Sequence, residues 1–454
     1  ICFLLCIIST MFCLFMLLVN FSRKILPQNL NKTKVIGSAV CILFIALLSL
    51  FSTAFFTTEK TEEAQSFDRL KALGYVSWGP AEKSLEKRGV VHYNPELAYG
   101  GLNLYNSLTL PEAYLIDMHG NIVHKWSKKI EGCNAWDQHV EMYNNGDLLV
   151  VAAHQMLICL DWNSNIKWKK KMAVHHDVYI DGSRRVYALT HERELVFWQG
   201  IPAPIGNDYV VVISPDGKVE KKISIYSLVK DHVPFEKISG LYKGLIKILD
   251  PNIVLALSKN IVNRSQFNVT ELFPENYFDI LHTNTIEIID RNIEGFCTKG
   301  DWLVSIRQLD LVGVVDTQKM DLTWSWGPGE LSRQHHPTLL KNGNLLIYDN
   351  GVSKELTRIV EVHPLTKIIL WEYKSESPEK FYSALMGSSQ RLPNGNTLIT
   401  ESDKGRVFEI TRKGKVVWEF YNPNINMESK KRETIYRMTR IFNPEIHKLI
   451  ETEI

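Results

Sequence analysis

The 454-residue sequence predicts an all-β protein, a closed β-propeller of six blades with room for a seventh, preceded by two N-terminal transmembrane helices. Three observations carry this. Two long uncharged stretches open the chain. Tryptophan-ended strands then recur, at an interval of 42 residues from Trp126 to Trp168 and of 47 from Trp324 to Trp371 and from Trp371 to Trp418. Tight turns alternate with them, at Asn145-Gly146, Asp181-Gly182, Asn342-Gly343 and Asn394-Gly395, flanked by apolar residues as a β-hairpin requires. A period in the forties built of short strands is that of a propeller blade. Such a blade buries its faces only against its neighbours, so the array has to close.

Residues 1–21 and 35–56 carry no charge, and each is long enough for one crossing at ~20 apolar residues. A signal peptide competes for the first stretch. The first residue is isoleucine, which suggests a fragment or a processed form. Arg23, Lys24, Lys32 and Lys34 lie between the two stretches without an acidic residue, whereas Glu59, Glu62 and Glu63 accompany Lys60 after them. The positive-inside rule therefore puts the short loop in the cytoplasm and everything after it on the periplasmic, extracellular or lumenal side. The expected organisation is two helices with their basic loop in 1–57, a polar connector in 58–90 that is weakly helical over 64–73, and the propeller in 91–454.

A formal net charge of +2 with 22% charged residues excludes a nucleic-acid footprint. Four of the seven cysteines fall in the uncharged stretches, leaving Cys133, Cys159 and Cys297 with no CxxC pair. No zinc centre or other metal is expected, and one disulfide stays open in an oxidising compartment. Asn263 and Asn268 head short glycosylation sequons, which would be surface sites if the source glycosylates.

The hairpin element gives five clear blades and a long one over 282–306, whose turn is extended by residues 290–300. Residues 222–281 exceed one spacing and hold either an insertion or a degenerate seventh blade, with 247–258 as its candidate. If His139, His176, His282 and His335 occupy matching points in different blades, the propeller axis brings them to one end of the channel. His176 and His335 support this by preceding Val186 and Leu345 by the same ten positions. A lone histidine is more often structural than catalytic, and His139 is read that way; histidines at matched positions point to a site.

Several pieces carry a resemblance: Lys87 to Gly101, residues 113–126, His175-His176-Asp177, His282-Thr283-Asn284, Ser305-Ile306-Arg307, Gln334-His335 through Asp349-Asn350-Gly351, Ser389 to Ile399 and Ile435-Tyr436-Arg437. Over nearly all of residues 87–442 the chain resembles the arylsulfotransferase family, sulfate-transferring propellers that use no nucleotide sulfate donor. The resemblance implies a sulfuryl group moving from a small aryl sulfate to a phenol through a sulfohistidine, with no cofactor. It implies His335 as nucleophile, with His176, His282, Asn284 and Arg307 facing the sulfuryl oxygens. Gln334 belongs to the same element. The doubled histidines leave His175 and His336 as substitutes for His176 and His335. A homodimer stays open, and the membrane is a partner through the two helices. The alternative is a catalytically inactive, membrane-tethered propeller that binds a protein or a glycan. A quinone-dependent dehydrogenase would need metal-binding carboxylates and a stacked tryptophan, for which no set is found.

Overall fold

Strand follows strand in short antiparallel meanders because the chain alternates apolar runs with tight turns. The computed structural model describes residues 77–239, 279–377 and 380–451. Both expected transmembrane stretches, the weak helix at 64–73, the stretch 247–258 and both sequons lie outside these residues. Among the described residues no helix is long and apolar enough to cross a membrane.

Among the described residues five sheets of four antiparallel strands and one of five fit propeller blades. Blade 1 holds Leu102–Asn106, Glu112–Ile116 and Ile122–Ser127, and its fourth strand, Thr439–Ile441, comes from the far end of the chain. Blade 2 runs from Val140–Met142 to Ile166–Lys171, blade 3 from Val174–Ile180 to Val219–Ser224, and blade 4 from Thr283–Ile288 to Asp321–Trp326. Blade 5 runs from His335–Leu339 to Ile369–Lys374, and blade 6 from Ser388–Arg391 to Val416–Tyr421, with Gly89–Tyr93 added outside. Part of the expected connector is thus strand: Trp78–Pro80 pairs with Lys431–Glu433, and Gly89–Tyr93 with blade 6.

The recurring tryptophans join the blades. Three sit on outer strands and donate the indole N–H to a turn carbonyl of the next blade, Trp168 to Pro215 at 3.1 Å, Trp324 to Pro364 at 2.9 Å and Trp371 to Arg412 at 2.8 Å, whereas the buried Trp126 packs in the core without such a bond. Trp418 of blade 6 donates to Met118 of blade 1 at 2.9 Å, which carries the series round to its start. Blades 1 and 2 meet through His124, stacked on Trp162 at 3.6 Å between ring centres. Blades 3 and 4 meet directly: the Thr283 N–H donates to Asp208 at 2.6 Å and the Ile286 N–H to Asp177 at 3.1 Å. Among the described residues no sheet stands between them.

Closure is reinforced at the seam, where buried Arg440 on the last strand pairs with buried Glu409 of blade 6 at 3.1 Å and donates to Asn103 of blade 1 at 2.6 Å. The disulfide left open is not formed: Cys133, Cys159 and Cys297 are all free, with Cys133 and Cys159 buried in different apolar clusters.

Candidate functional site

The innermost strands of blades 3, 4 and 5 each lose register near their first residues, between Val174 and Val178, Thr283 and Thr285, and His335 and Thr338. At each break a histidine takes the left-handed conformation, His176 at φ 57°, His282 at 53° and His336 at 47°. Bulges re-aim side chains, and positive φ at bulky residues marks places where surrounding structure holds the backbone in a costly conformation.

His176 and His335 do stand at equivalent points, each four residues before the last ladder pair of its hairpin, Ile180 with Val186 and Leu339 with Leu345. His282 stands six before the pair of Ile288 with Trp302, and Asn284 takes the equivalent place. His282 nevertheless joins the group, since its ring lies edge-on to His176 at 4.6 Å between centres.

The doubled histidines part company. His176 faces His282. His175 turns to Asp208, His154 and His191. His335 feels the positive charge of Arg307, while His336 feels that of Arg437 and donates from Nδ1 to the Ser389 carbonyl, 3.1 Å away. Because a carbonyl only accepts, the His336 Nδ1 must carry a proton there.

His335 is held in one tautomer. Its Nδ1 lies 2.7 Å from Asn350 Oδ1 and 3.1 Å from the Arg333 carbonyl. The Asn350 amide cannot be turned round, because its Nδ2 donates to the carbonyls of Ser383 at 2.8 Å and Met386 at 3.0 Å. Both neighbours of Nδ1 are therefore acceptors, the proton sits on Nδ1, and the lone pair is on Nε2. Burial, then the Arg307 guanidinium, pushes the His335 pKa down to about 3, so the ring stays neutral at ordinary pH. His176 is likewise held well below the usual histidine range, by burial first and then by His282, His175 and His335.

The Asp349-Asn350-Gly351 motif supports this. Asp349 accepts the Ser332 N–H at 2.9 Å and the Arg358 Nε–H at 2.8 Å, tying down both sides of the bend. Gly351 has φ 62°, and a Cβ there would meet the Leu356 carbonyl oxygen at 1.8 Å. No other residue fits without moving Asn350.

His282 Nδ1 is hydrogen-bonded to the Asp279 carboxylate. Burial works to raise the Asp279 pKa, but the His282 charge and hydrogen bond outweigh it and hold the carboxyl below its usual range. Arg307 opens the turn after strand Trp302–Ile306, and its backbone N–H donates to the His282 carbonyl at 3.1 Å. The lengthened turn at 290–300 lies at the other end of that hairpin, so it leaves Arg307 beside His282.

Gln334 and Asn284 spend their amides on protein groups. Gln334 Nε2 donates to Ser305 Oγ at 3.1 Å and to the Leu311 carbonyl at 3.0 Å, while Asn284 Nδ2 donates to the Gln334 carbonyl at 2.8 Å. They stitch blade 4 to blade 5.

A second buried group was not legible as such in the sequence. Arg437, just before the closing strand, donates to Asp177 at 2.9 Å and to His139 Nε2 at 3.2 Å. His139 is thereby structural, and burial followed by Arg437 pushes its pKa down to about 3. Beyond this clasp a cavity of about 230 Å³ occupies the channel, lined in part by Glu141, Asp177, Glu287, His336 and Arg437. Burial raises Glu141 to about 7 and Glu287 to about 8. His176, His282, Arg307 and His335 do not line this cavity.

Comparison with known proteins gives loose structural likenesses. A protein of unknown function from Bacteroides caccae has TM-score 0.45 at 14% identity, over 75% of this chain and 98% of that one. A streptogramin B lyase has TM-score 0.42 at 10% identity, over 81% and 95% respectively. Likenesses this distant carry no argument about activity. Among curated proteins none matches the chain. The family model for arylsulfotransferase (ASST), in contrast, matches residues 139–423, which span blades 2 to 6 and take in His176, His282, Arg307 and His335, and the chain belongs to that family.

Proposed function

We propose that this chain moves a sulfuryl group from an aryl sulfate to a phenol through a covalent intermediate on His335. The single observation that carries the reading is the locked tautomer: Asn350 accepts the Nδ1 proton, so Nε2 presents a lone pair. A neutral buried imidazole is a competent nucleophile, and a covalent intermediate divides one hard displacement into two easier ones.

In the first half, Nε2 attacks sulfur, the bond from sulfur to the aryl oxygen breaks, and a phenolate leaves. The ring gains positive charge, and Asn350 Oδ1 and the Arg333 carbonyl face the N–H that carries it. Arg307 and the imidazole N–H groups of His176 and His282 offer donors to the sulfuryl oxygens, where charge gathers in the transition state. His282 is suited to carry the proton, since Asp279 compensates its charge when both ring nitrogens are protonated. In the second half a new phenol gives its proton to His282, which lost one to the departing phenolate, and its oxygen attacks sulfur as the nitrogen–sulfur bond breaks, restoring neutral His335.

The reading extends to location. The basic loop at 23–34 motivates a membrane-anchored enzyme whose C-terminal domain lies outside the cytoplasm. Protease added to intact cells, or to opened vesicles if the membrane is internal, should digest residues 90–454; digestion from the cytoplasmic side instead would reverse the orientation. Activity is tested with a chromogenic aryl sulfate and a phenol acceptor. Phenol release that depends on the acceptor supports the transfer, and its absence across a panel of donors and acceptors contradicts it.

A further inference from the structure

Blade 3 departs from its neighbours in one respect that the sulfuryl chemistry does not use. Its two middle strands, Val186–Trp198 and Ile201–Ile213, are 13 residues each, where the corresponding strands of the other blades are five or six. The extension carries His191 and Asp208, paired across the ladder, beyond the end of the innermost strand. There they meet His175, next in sequence to His176.

The resulting group is tightly drawn together, with His175 and Asp208 buried and His191 about 25% exposed. Asp208 Oδ1 lies 2.8 Å from His191 Nδ1 and 3.3 Å from His175 Nε2, and one donor atom from each of the three falls within 4.8 Å of the others. The His154 ring lies 5.9 Å from that of His175 and 6.5 Å from that of His191, centre to centre. The seat is made for the His191 ring, because a Cβ at Gly206 would come within 2.3 Å of its Nε2. Asp208 is oriented from behind by the Thr283 N–H.

Hydrogen bonds among these groups leave part of the knot unsatisfied. Among the described residues, the buried atoms His175 Nε2, His154 Nε2 and, beside His282, Asp279 Oδ1 have no hydrogen-bond partner. His175 Nε2 is near Asp208 but outside hydrogen-bond alignment. Leaving such atoms buried and unpaired is costly. One cation bound between the two imidazoles of His175 and His191 and the Asp208 carboxylate engages the His175 Nε2 lone pair, and the nitrogen and oxygen donors are those that late first-row divalent ions take.

We propose that His175, His191 and Asp208, with His154 packed alongside, form a binding site for one divalent transition-metal ion of the zinc class. The absence of CxxC pairs excludes only a cysteine-based centre; this one is assembled by the elongated hairpin of blade 3. Binding displaces the proton from His191 Nδ1 and takes the lone pair of His175 Nε2. His175 then keeps its proton on Nδ1, which lies 2.7 Å from His176 Nδ1 and donates to it. His176 is left with its proton on Nε2, as a donor. Resting on the proposed sulfuryl transfer, this makes the ion a positioning group that sets the tautomer of a site histidine.

The test uses the purified full chain without any sulfate ester, so that its failure is separate from failure of the transferase reading. Loaded with Zn²⁺ or Co²⁺ and desalted, the chain should retain about one ion, held by three protein donors. His191→Ala and Asp208→Asn should each cut retention at least tenfold, and His335→Ala should leave it unchanged. Because a ligand variant can fail by misfolding, His191→Cys supplies a positive signal: the Co²⁺-loaded variant should gain a thiolate-to-cobalt charge-transfer band that the parent lacks. Retention by the parent no higher than by Asp208→Asn, or a His191→Cys variant without that band, overturns the proposal.

Discussion

The chemistry proposed for His335 depends on the asparagine bonded to its Nδ1. Asn350 is fully buried, its amide is oriented by two carbonyls, and it decides which imidazole nitrogen is free. Asn350→Ala should lower the transfer rate by ~10²-fold while leaving the histidine in place, the scale of loss when a reacting group is misoriented. In the parent, ¹⁵N NMR of labelled histidine should find His335 neutral with its proton on Nδ1 from pH 7 down to about pH 4, because its pKa is pushed down to about 3. A His335 that titrates near the ordinary histidine value would contradict the account of its burial. The motif Asp349-Asn350-Gly351 was visible in the sequence, but the role of its asparagine was not, since it depends on carbonyls supplied more than thirty positions later.

At the scale of elements, the tryptophan spacing is explained by what each indole does. In blades 2, 4, 5 and 6 it bonds to the turn of the next blade, which fixes one tryptophan at one place on the outer part of each of those blades. Trp418 is fully buried, whereas the bond of Trp168 is exposed. Trp418→Phe should therefore cost about 1–3 kcal/mol, the price of stranding the buried Met118 carbonyl, and Trp168→Phe less than about 1 kcal/mol. Urea unfolding of the two variants compares them directly, and equal losses would refute the argument. The same spacing made the blades legible in advance, because short strands and Asn-Gly turns are local signals. The matched-position argument for the histidines was legible only in part. It holds for His176 and His335, but a register break displaces His282, and such breaks leave no local mark in the sequence. Asp279, which lies outside every strand, carried no signal at all until folding brought it to His282.

For the whole molecule, closure rests on the return of the chain end to blade 1. Thr439–Ile441 completes that sheet, and Arg440 joins it to blade 6 through a carboxylate that is wholly out of water. Arg440→Ala leaves Glu409 buried without its cation, which typically costs about 3–5 kcal/mol. A clear drop in the urea midpoint is expected, and an unchanged midpoint would mean the seam does not hold the ring. The long separations involved, from residue 103 to 440 and from 177 to 437, are why the clasp could not be read from sequence spacing.

The central claim is that His335 carries the sulfuryl group. The full chain, mixed with an aryl sulfate in the absence of acceptor, quenched and digested, should yield one sulfated peptide, modified at His335. Adding a phenol should discharge it, and His335→Ala should form none. Sulfation at His336 or another residue, or turnover undiminished in His335→Ala, would contradict the account.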